Sequence, residues 1–322
     1  MTKTVAVLGA STPLGAALIE LLTIKEPTWK IAAIVPPEDS YERLVATGND
    51  RLNVRSANVE DFQSLMDVTE DAAIVYSCYE VAEHGRKYWA EHWPPLVDKL
   101  LQVTSADKPL VFADNLYAYG PGRDKDTTST TQRPCGESKA EIRATMRLKF
   151  QHRMEDMPGS LVVLGSSDLF GPHMPDSFLG DDFIGRMIKG NKPWAVGSCH
   201  TMHDFCFIPD FANALYVASQ REDAYGKFWI CPHSIHTETL EDIADEVNGH
   251  LDKEVEGFRV VSPWMLSSMS YFTSSSVELK EMLPWWTEDY TVQDSQFCEA
   301  FHVKATPFEE AIKQTVQWFK TR

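Results

Sequence analysis

The stretch Thr4-Val5-Ala6-Val7-Leu8-Gly9-Ala10-Ser11-Thr12-Pro13-Leu14-Gly15 decides how this chain is read. Thr4–Leu8 is a short apolar run of the kind that forms a buried strand. Beyond the turn, Leu14, Leu18, Leu21 and Leu22 recur at the spacing of one helix face. Gly9 permits a tight turn between the two, and Gly15 lets the helix pack closely on the strand. The first amides of a helix have no partner within it, and its dipole adds positive potential there. A pyrophosphate is therefore favoured over this turn. Thr12 stands where a middle glycine would let the backbone approach that anion.

The alternation continues outward. Ile31–Val35, Leu52–Val54, Ala72–Ser77, Leu110–Ala113 and Ser160–Leu164 read as further strands. Helices are expected near Asp61–Val68, over Pro94–Val103 with proline in the first turn, and over Glu137–Arg153. Strands and helices in turn imply right-handed crossovers and an α/β, doubly wound parallel sheet. After Phe170 the pattern becomes irregular, with helices near Phe178–Lys189, Asp210–Ser219 and Leu240–Leu251. Thr306-Pro307-Phe308-Glu309 reads as a capping box opening a last helix to Phe319.

The 322 residues suggest two domains at ~150 residues each. We expect a dinucleotide-binding domain over residues 1–170, with later sheet pieces near 200–235. A smaller, interleaved and mostly substrate-binding domain would occupy 171–322.

Lys+Arg total 30 against 47 Asp+Glu, a net charge of −17. Such a surface repels phosphate backbones and anionic lipid, so neither nucleic acid nor a membrane is expected as a partner. Cys78, Cys135, Cys199, Cys206, Cys231 and Cys298 are scattered with no CxxC pair, as in a reduced intracellular protein. No apolar leader opens the chain, and no run approaches the ~18 apolar residues of a membrane span. A cytoplasmic protein is expected, with a small-molecule substrate and room for a homodimer.

At the end of the second strand an acidic residue would select NAD and an arginine NADP. The chain offers Glu38 and Asp39 a little late, then Arg43, so the cofactor is NADP or NAD.

Taken in order, GASTPLG, ANVED, VFADNLYAYGP, GESKAEIR, SSDLFGP and HDFCFIPDFANAL resemble the extended short-chain dehydrogenase/reductases, the NAD(P)-dependent epimerase/dehydratase family. The resemblance spans nearly the whole chain and implies a Rossmann-type fold and an enzyme. It implies that Gly9, Ser11, Thr12, Pro13, Leu14 and Gly15 line the pyrophosphate, and that Asn58, with Val59 beside it, meets adenine. Ser77, Ser166 and Ser167 join the cofactor-binding set. Lys139 matches the YxxxK lysine, which holds the nicotinamide ribose and lowers the tyrosine pKa by its charge.

The departures bear on chemistry. The YxxxK tyrosine is Cys135 and the serine or threonine that holds the substrate oxygen is Asn115. A phenol of pKa ~10 is thus replaced by a thiol of ~8.5. Asn115 retains a donor for a carbonyl. Tyr117 is the better substitute for the lost phenol, since Tyr119 belongs to the Tyr-Gly turn. Cys135 reads first as a space-filling residue, although Lys139 and a helix N-terminus would favour its thiolate. Asp168 replaces an asparagine that faces a sugar-nucleotide diphosphate, and His203 replaces the arginine of an R-D-F motif. A carboxylate repels a diphosphate, so a less charged, partly apolar substrate is expected.

Trp194, Trp264, Phe272, Trp285 and Trp286 offer aromatic lining, though most read as core. Loop residues 120–134 read as a mobile flap. Cys199, His200, His203 and Cys206 crowd together, but their spacing fits no standard finger and no metal is expected there or at His233 and His236.

The leading expectation is an NAD(P)-dependent oxidoreductase-like enzyme acting on a small organic molecule other than a sugar nucleotide. A redox-neutral dehydration, isomerisation or cyclisation on the same fold, and a non-catalytic dinucleotide sensor, are the alternatives that the lost tyrosine leaves open.

Overall fold

The computed structural model describes residues 3–39, 49–83, 85–129, 138–262 and 283–322. Strands β1 (Thr4–Leu8), β2 (Lys30–Val35), β3 (Leu52–Ser56), β4 (Ile74–Ser77), β5 (Leu110–Asn115), β6 (Leu161–Ser166) and, later in the chain, β10 (Phe228–Ile230) build one seven-stranded sheet. Its order is β10-β6-β5-β4-β1-β2-β3. The pairs β1–β2, β1–β4, β2–β3 and β4–β5 run parallel. Val5–Leu8 and Ile31–Val35 are fully buried, as strands covered on both faces must be.

Helices α1 (Pro13–Lys25), α2 (Phe62–Thr69), α3 (Arg86–Val103) and α4 (Lys139–Asp156) accompany these strands. The expected strands and helices are present with small changes at their ends, and one larger change. The helix expected from Pro94 begins eight residues earlier, at Arg86, with Pro94 and Pro95 inside it. Each proline removes a backbone donor and crowds the preceding turn. Burial of Trp89, Trp93, Leu96 and Leu100 on one face outweighs that cost. Helix α4 starts at Lys139 because Ser138 and Glu141 form a reciprocal capping box, Ser138 N–H donating to Glu141 and Glu141 N–H to the Ser138 hydroxyl.

The described residues divide into two units, neither continuous in sequence. The first gathers Met1–Asp114, Gln132–Gly165 and Phe211–Trp229, and holds the sheet. The second gathers Asn115–Thr131, Ser166–Asp210 and Ile230–Arg322. It contains the small pairs β7 (Asp168–Phe170) with β9 (Phe205–Phe207), and β8 (Trp194–Val196) with β11 (Arg259–Val261), both parallel. Helix α5 (Ile208–Ser219) runs from the second unit into the first, whereas α6 (Leu240–Asn248) and α7 (Phe308–Thr321) belong to the second. The second unit's core joins Phe170, Phe183, Phe207, Ile243 and Ile312. Residues near Phe178–Lys189 form a π-turn over Gly180–Ile184 followed by a short helix, Gly185–Ile188.

The capping box expected at Thr306 is absent. Thr306 instead gives its N–H and hydroxyl to Asp210 at 2.7 and 2.9 Å, and α7 begins after Pro307 with no side-chain cap. The half-buried Asp210 needs those donors, because burial pushes its carboxyl upward while the Thr306 bonds pull it back. Within the loop read as a flap, residues 123–125 are tied to the segment 289–293, and residues 130–134 lie outside the described residues. Asp124 N–H donates to the Thr291 hydroxyl, Lys125 N–H to Thr291 O and Gln293 N–H to Lys125 O, and Arg123 pairs with Asp289.

Candidate functional site

Chain order leaves β1 in both directions, so the crevice at the carboxyl ends of β1 and β4 is the sheet's switch point. The Gly9–Gly15 turn lies there. Gly9 has φ +74°, and a Cβ on it would stand 2.5 Å from the Cys78 carbonyl oxygen. A Cβ on Gly15 would stand 2.1 Å from the Gly9 oxygen. Both positions require glycine. Thr12 caps α1 by accepting from Gly15 N–H at 3.1 Å, and its hydroxyl proton faces Gly9 O at 2.8 Å and Cys78 O at 3.2 Å. Thr12 thus clips the turn to the end of β4. Pro13 opens α1 where no N–H is needed, and Leu14 is buried. Among the described residues, the amides of Ser11 and Leu14 have no hydrogen-bond partner. Two free donors at a helix N-terminus, over two obligate glycines, fit a diphosphate.

Asp39 lies a few residues past β2 in sequence but not in space. The turn Pro36–Asp39 folds back, with Asp39 N–H on Pro36 O, and the Ser11 hydroxyl donates to the Asp39 carboxylate at 2.5 Å. Beside it opens a cleft of about 220 Å³ lined by Pro37, Glu38, Asn58, Val59, Tyr79 and Tyr88, among others. Asn58 is exposed and its side-chain oxygen accepts from Glu60 N–H at 3.0 Å, while Val59 is buried. Ser77 ends β4 fully buried, and its hydroxyl has no partner among the described residues.

A polar cluster at this cleft was not anticipated. The Glu60 carboxylate meets His92 Nδ1 at 2.5 Å and Tyr79 at 3.5 Å, its carbonyl accepts from Lys99 at 2.6 Å, and Tyr88 stacks on His92 at 3.7 Å. Burial, with Glu60 and Tyr88 beside it, pushes the Tyr79 phenol well up, so Tyr79 stays a hydrogen-bond donor.

Lys139 occupies the first turn of α4 and is 9 % exposed, its ammonium 5.2 Å from the Trp89 ring centre. One and two turns on, Arg143 pairs with Asp114 at 2.7 Å and lies over Trp93 at 4.2 Å, and Arg147 lies over Phe228 at 3.9 Å. Three buried cations therefore share one face of α4, each lying against an aromatic ring, with Asp114 paired to Arg143.

In the second unit, Asn115 closes β5 and its side-chain oxygen accepts from Tyr117 N–H at 3.2 Å. Tyr117 is half-buried, edge-on to Trp285 with centres 5.7 Å apart. Tyr119 is buried in the turn that Gly120 closes at φ +74°. Ser166 and Ser167 are buried. The Ser167 hydroxyl donates to Asp204 O at 2.7 Å and its N–H to His233 Nε2 at 3.1 Å. His233 Nδ1 faces the Cys231 carbonyl at 2.7 Å, which fixes the neutral Nδ1–H tautomer. Burial pushes His233 down to about 4, in keeping with that form.

The two residues read as departures, Asp168 and His203, come together. His203 Nε2 lies 2.7 Å from Asp168 Oδ2 and Nδ1 lies 3.1 Å from the Trp285 carbonyl. The His203 ring stacks on Trp286 at 4.1 Å, and Phe178 also stacks on Trp286, at 3.9 Å. Next to it, His236 bridges Asp204 and Asp294 at 3.1 Å each. Burial alone would lower His236, but the two carboxylates outweigh it and raise it to about 10. Asp204 also accepts from Val292 N–H at 2.8 Å.

Cys135, Trp264 and Phe272 lie outside the described residues. No helix among the described residues is long and apolar enough to cross a membrane.

No family model matches the chain, and no curated protein matches its sequence. Solved structures do match its fold. The NAD complex of dTDP-glucose 4,6-dehydratase from Bacillus anthracis str. Ames superposes with a TM-score of 0.79 at 12 % identity, covering 100 % of this chain and 97 % of that one. UDP-glucuronic acid 4-epimerase from Bacillus cereus with NAD gives 0.77 at 13 %, covering 99 % of both chains. UDP-glucose 4-epimerase from Thermotoga maritima gives 0.72 at 14 %, again covering 99 % of both. Over its whole length the chain has the fold of these epimerases and dehydratases, the fold that its sequence resemblance implied.

Proposed function

We propose that the protein is a nicotinamide-dinucleotide enzyme, with NAD preferred to NADP, that acts on a small organic molecule lacking a nucleoside diphosphate. The observation that carries this reading is the glycine cradle at the switch point with Asp39 held against Ser11. The free amides of Ser11 and Leu14 receive the pyrophosphate. Asp39 accepts from the adenosine ribose hydroxyls, and Asn58 and Val59 border the adenine. A bound nicotinamide supplies the hydride donor or acceptor.

The chain's own groups do the rest. Lys139 holds the nicotinamide ribose. Asn115 donates its amide N–H to a substrate oxygen while its side-chain oxygen stays on Tyr117 N–H. Tyr117 or Cys135 exchanges the proton with that oxygen, in place of the absent YxxxK tyrosine.

The substrates in the neighbours' names, dTDP-glucose and UDP-glucuronic acid, carry diphosphates. At the two positions where the family resemblance implies contacts to a sugar-nucleotide diphosphate, this chain holds the Asp168–His203 pair, with His203 stacked on Trp286 and the carboxylate partly exposed. That arrangement offers a phosphate no unpaired cation and disfavours it. A screen of small ketones, aldehydes and alcohols for NADH consumption or NAD reduction tests the reading, with UDP- and GDP-sugars as competitors. Turnover of at least one carbonyl or alcohol is expected, with no competition from the sugar nucleotides. Competition by a UDP-sugar at micromolar concentration would contradict it.

A further inference from the structure

Cys199, His200 and Glu241 meet in the second unit, outside the dinucleotide site. Cys199 Sγ lies 3.7 Å from Glu241 Oε1 and 3.8 Å from His200 Nε2. His200 Nδ1 lies 2.8 Å from Glu241 Oε2. One donor atom from each residue falls within 4.8 Å of the other two. The backbone sets this meeting. Glu241 N–H donates to the Cys199 carbonyl at 3.3 Å, Met202 forms a bridge with Thr239, and a Thr239–Asp242 capping box fixes the first turn of α6. The thiol and the carboxylate, 42 residues apart, are thus clamped together by main-chain contacts that need no side-chain pairing.

We propose that these three residues form a binding site for a divalent cation of the zinc class. Thiolate, imidazole and carboxylate are a zinc donor set, and three protein ligands leave a fourth position for water. Bonds of ~2.0–2.3 Å in a tetrahedron place donors roughly 3.3–3.6 Å apart. The Sγ–Oε1 separation of 3.7 Å lies just beyond that edge. The His200–Glu241 pair is closer because a proton lies between them. The cation takes that proton's place, and the His200 side chain, 73 % exposed, has room to turn its Nδ1 toward the sulfur. Binding releases the thiol proton, the His200 ring proton moves to Nε2, and the two anionic ligands balance the two positive charges.

An ordinary surface ion pair accounts for His200 and Glu241 alone. The thiol of the buried Cys199 donates to the same carboxylate, which brings a third donor atom to the pair. Calcium and magnesium, which take all-oxygen shells, do not suit these donors. The bound cation pins the turn after β8 to the start of α6.

The test uses the full chain, untagged and freed of metal by a chelator. One equivalent of Co²⁺ should produce a thiolate-to-cobalt charge-transfer band in the near ultraviolet, and Zn²⁺ should displace it. Cys199→Ser should abolish the band, whereas Cys298→Ser should keep it. His200→Asn and Glu241→Gln should each weaken zinc at least tenfold. Zinc should raise the melting temperature of the wild type and of Cys298→Ser but not of Cys199→Ser. No cobalt band in the wild type, or a band that survives Cys199→Ser, would overturn the proposal.

Discussion

Replacing Asp39 by asparagine tests the cofactor reading at the atom that carries it. The Asp39 carboxylate is held by the Ser11 hydroxyl at the edge of the glycine turn, with Glu38 and Glu60 on the wall of the adjoining cleft. A hydrogen bond from a ribose hydroxyl to a carboxylate contributes about 1.5–3 kcal/mol, and one to a neutral amide about 0.5–1.5. Asp39→Asn should therefore cost NADH about 1 kcal/mol, or roughly fivefold in Kd. For NADPH the sign reverses. A carboxylate some 4 Å from a phosphate charge costs from ~1 kcal/mol in bulk water to ~4 at an effective dielectric of 20. Asp39 is half-buried, and Glu38 and Glu60 remain in the variant. Relief of about 2 kcal/mol is then reasonable, or roughly 30-fold tighter NADPH. The NADH/NADPH preference should shift by about 150-fold in total. Loosening the turn by losing the Ser11 bond affects both cofactors alike and cancels in this ratio. The assay is nicotinamide fluorescence titration of both cofactors at low salt, with Ser11→Ala as a control that keeps the carboxylate and the preference. A wild type that prefers NADPH, or a ratio that moves less than threefold in Asp39→Asn, would refute the reasoning.

Three further outcomes follow from the same structure. His236 is raised from 6.5 to about 10, so its contribution is complete below pH 6.5 and is lost as pH rises through about 10. With the side chain 38 % exposed and screened, that contribution is about 1–2 kcal/mol; the unfolding free energy from urea titrations should fall by that much more between pH 6 and pH 10 in the wild type than in His236→Gln. Thr306→Ala should cost about 1 kcal/mol in urea unfolding, because Asp210 loses the Thr306 hydroxyl while keeping that of Ser234; a neutral effect would show that bond to be dispensable. Once a substrate is found, Lys139→Ala should cut turnover far more than Cys135→Ser, which should stay within a few fold if the thiol only fills space. A loss of about 10²–10⁴ in Cys135→Ser would instead identify Cys135 as the proton donor.

How much the sequence disclosed depended on how local each feature is. The switch-point turn was legible because Gly9, Thr12, Pro13 and Gly15 act within a few residues of one another, on strands whose burial shows as unbroken apolar runs. Helix α3 was misjudged at its start because proline punctuates locally, whereas Trp89 and Trp93 are held by Phe112 and Arg143 from other elements. Thr306 carries the letters of a cap, yet Asp210, 96 residues earlier, competes for its donors and wins. Asp39 looked too late for a cofactor carboxylate until the Pro36 turn returned it to Ser11. Asp168 and His203 were each noted as departures, but nothing local signals that one answers the other across 35 residues. Glu241 could not be connected with Cys199 and His200 from spacing, since α6 brings it there from 41 residues beyond His200.

The most direct test of the account is a titration of the wild-type chain with NADH and NADPH, followed by nicotinamide fluorescence. The account predicts saturable binding of NADH at one site per chain, tighter than NADPH. No binding of either dinucleotide at millimolar concentration would contradict it.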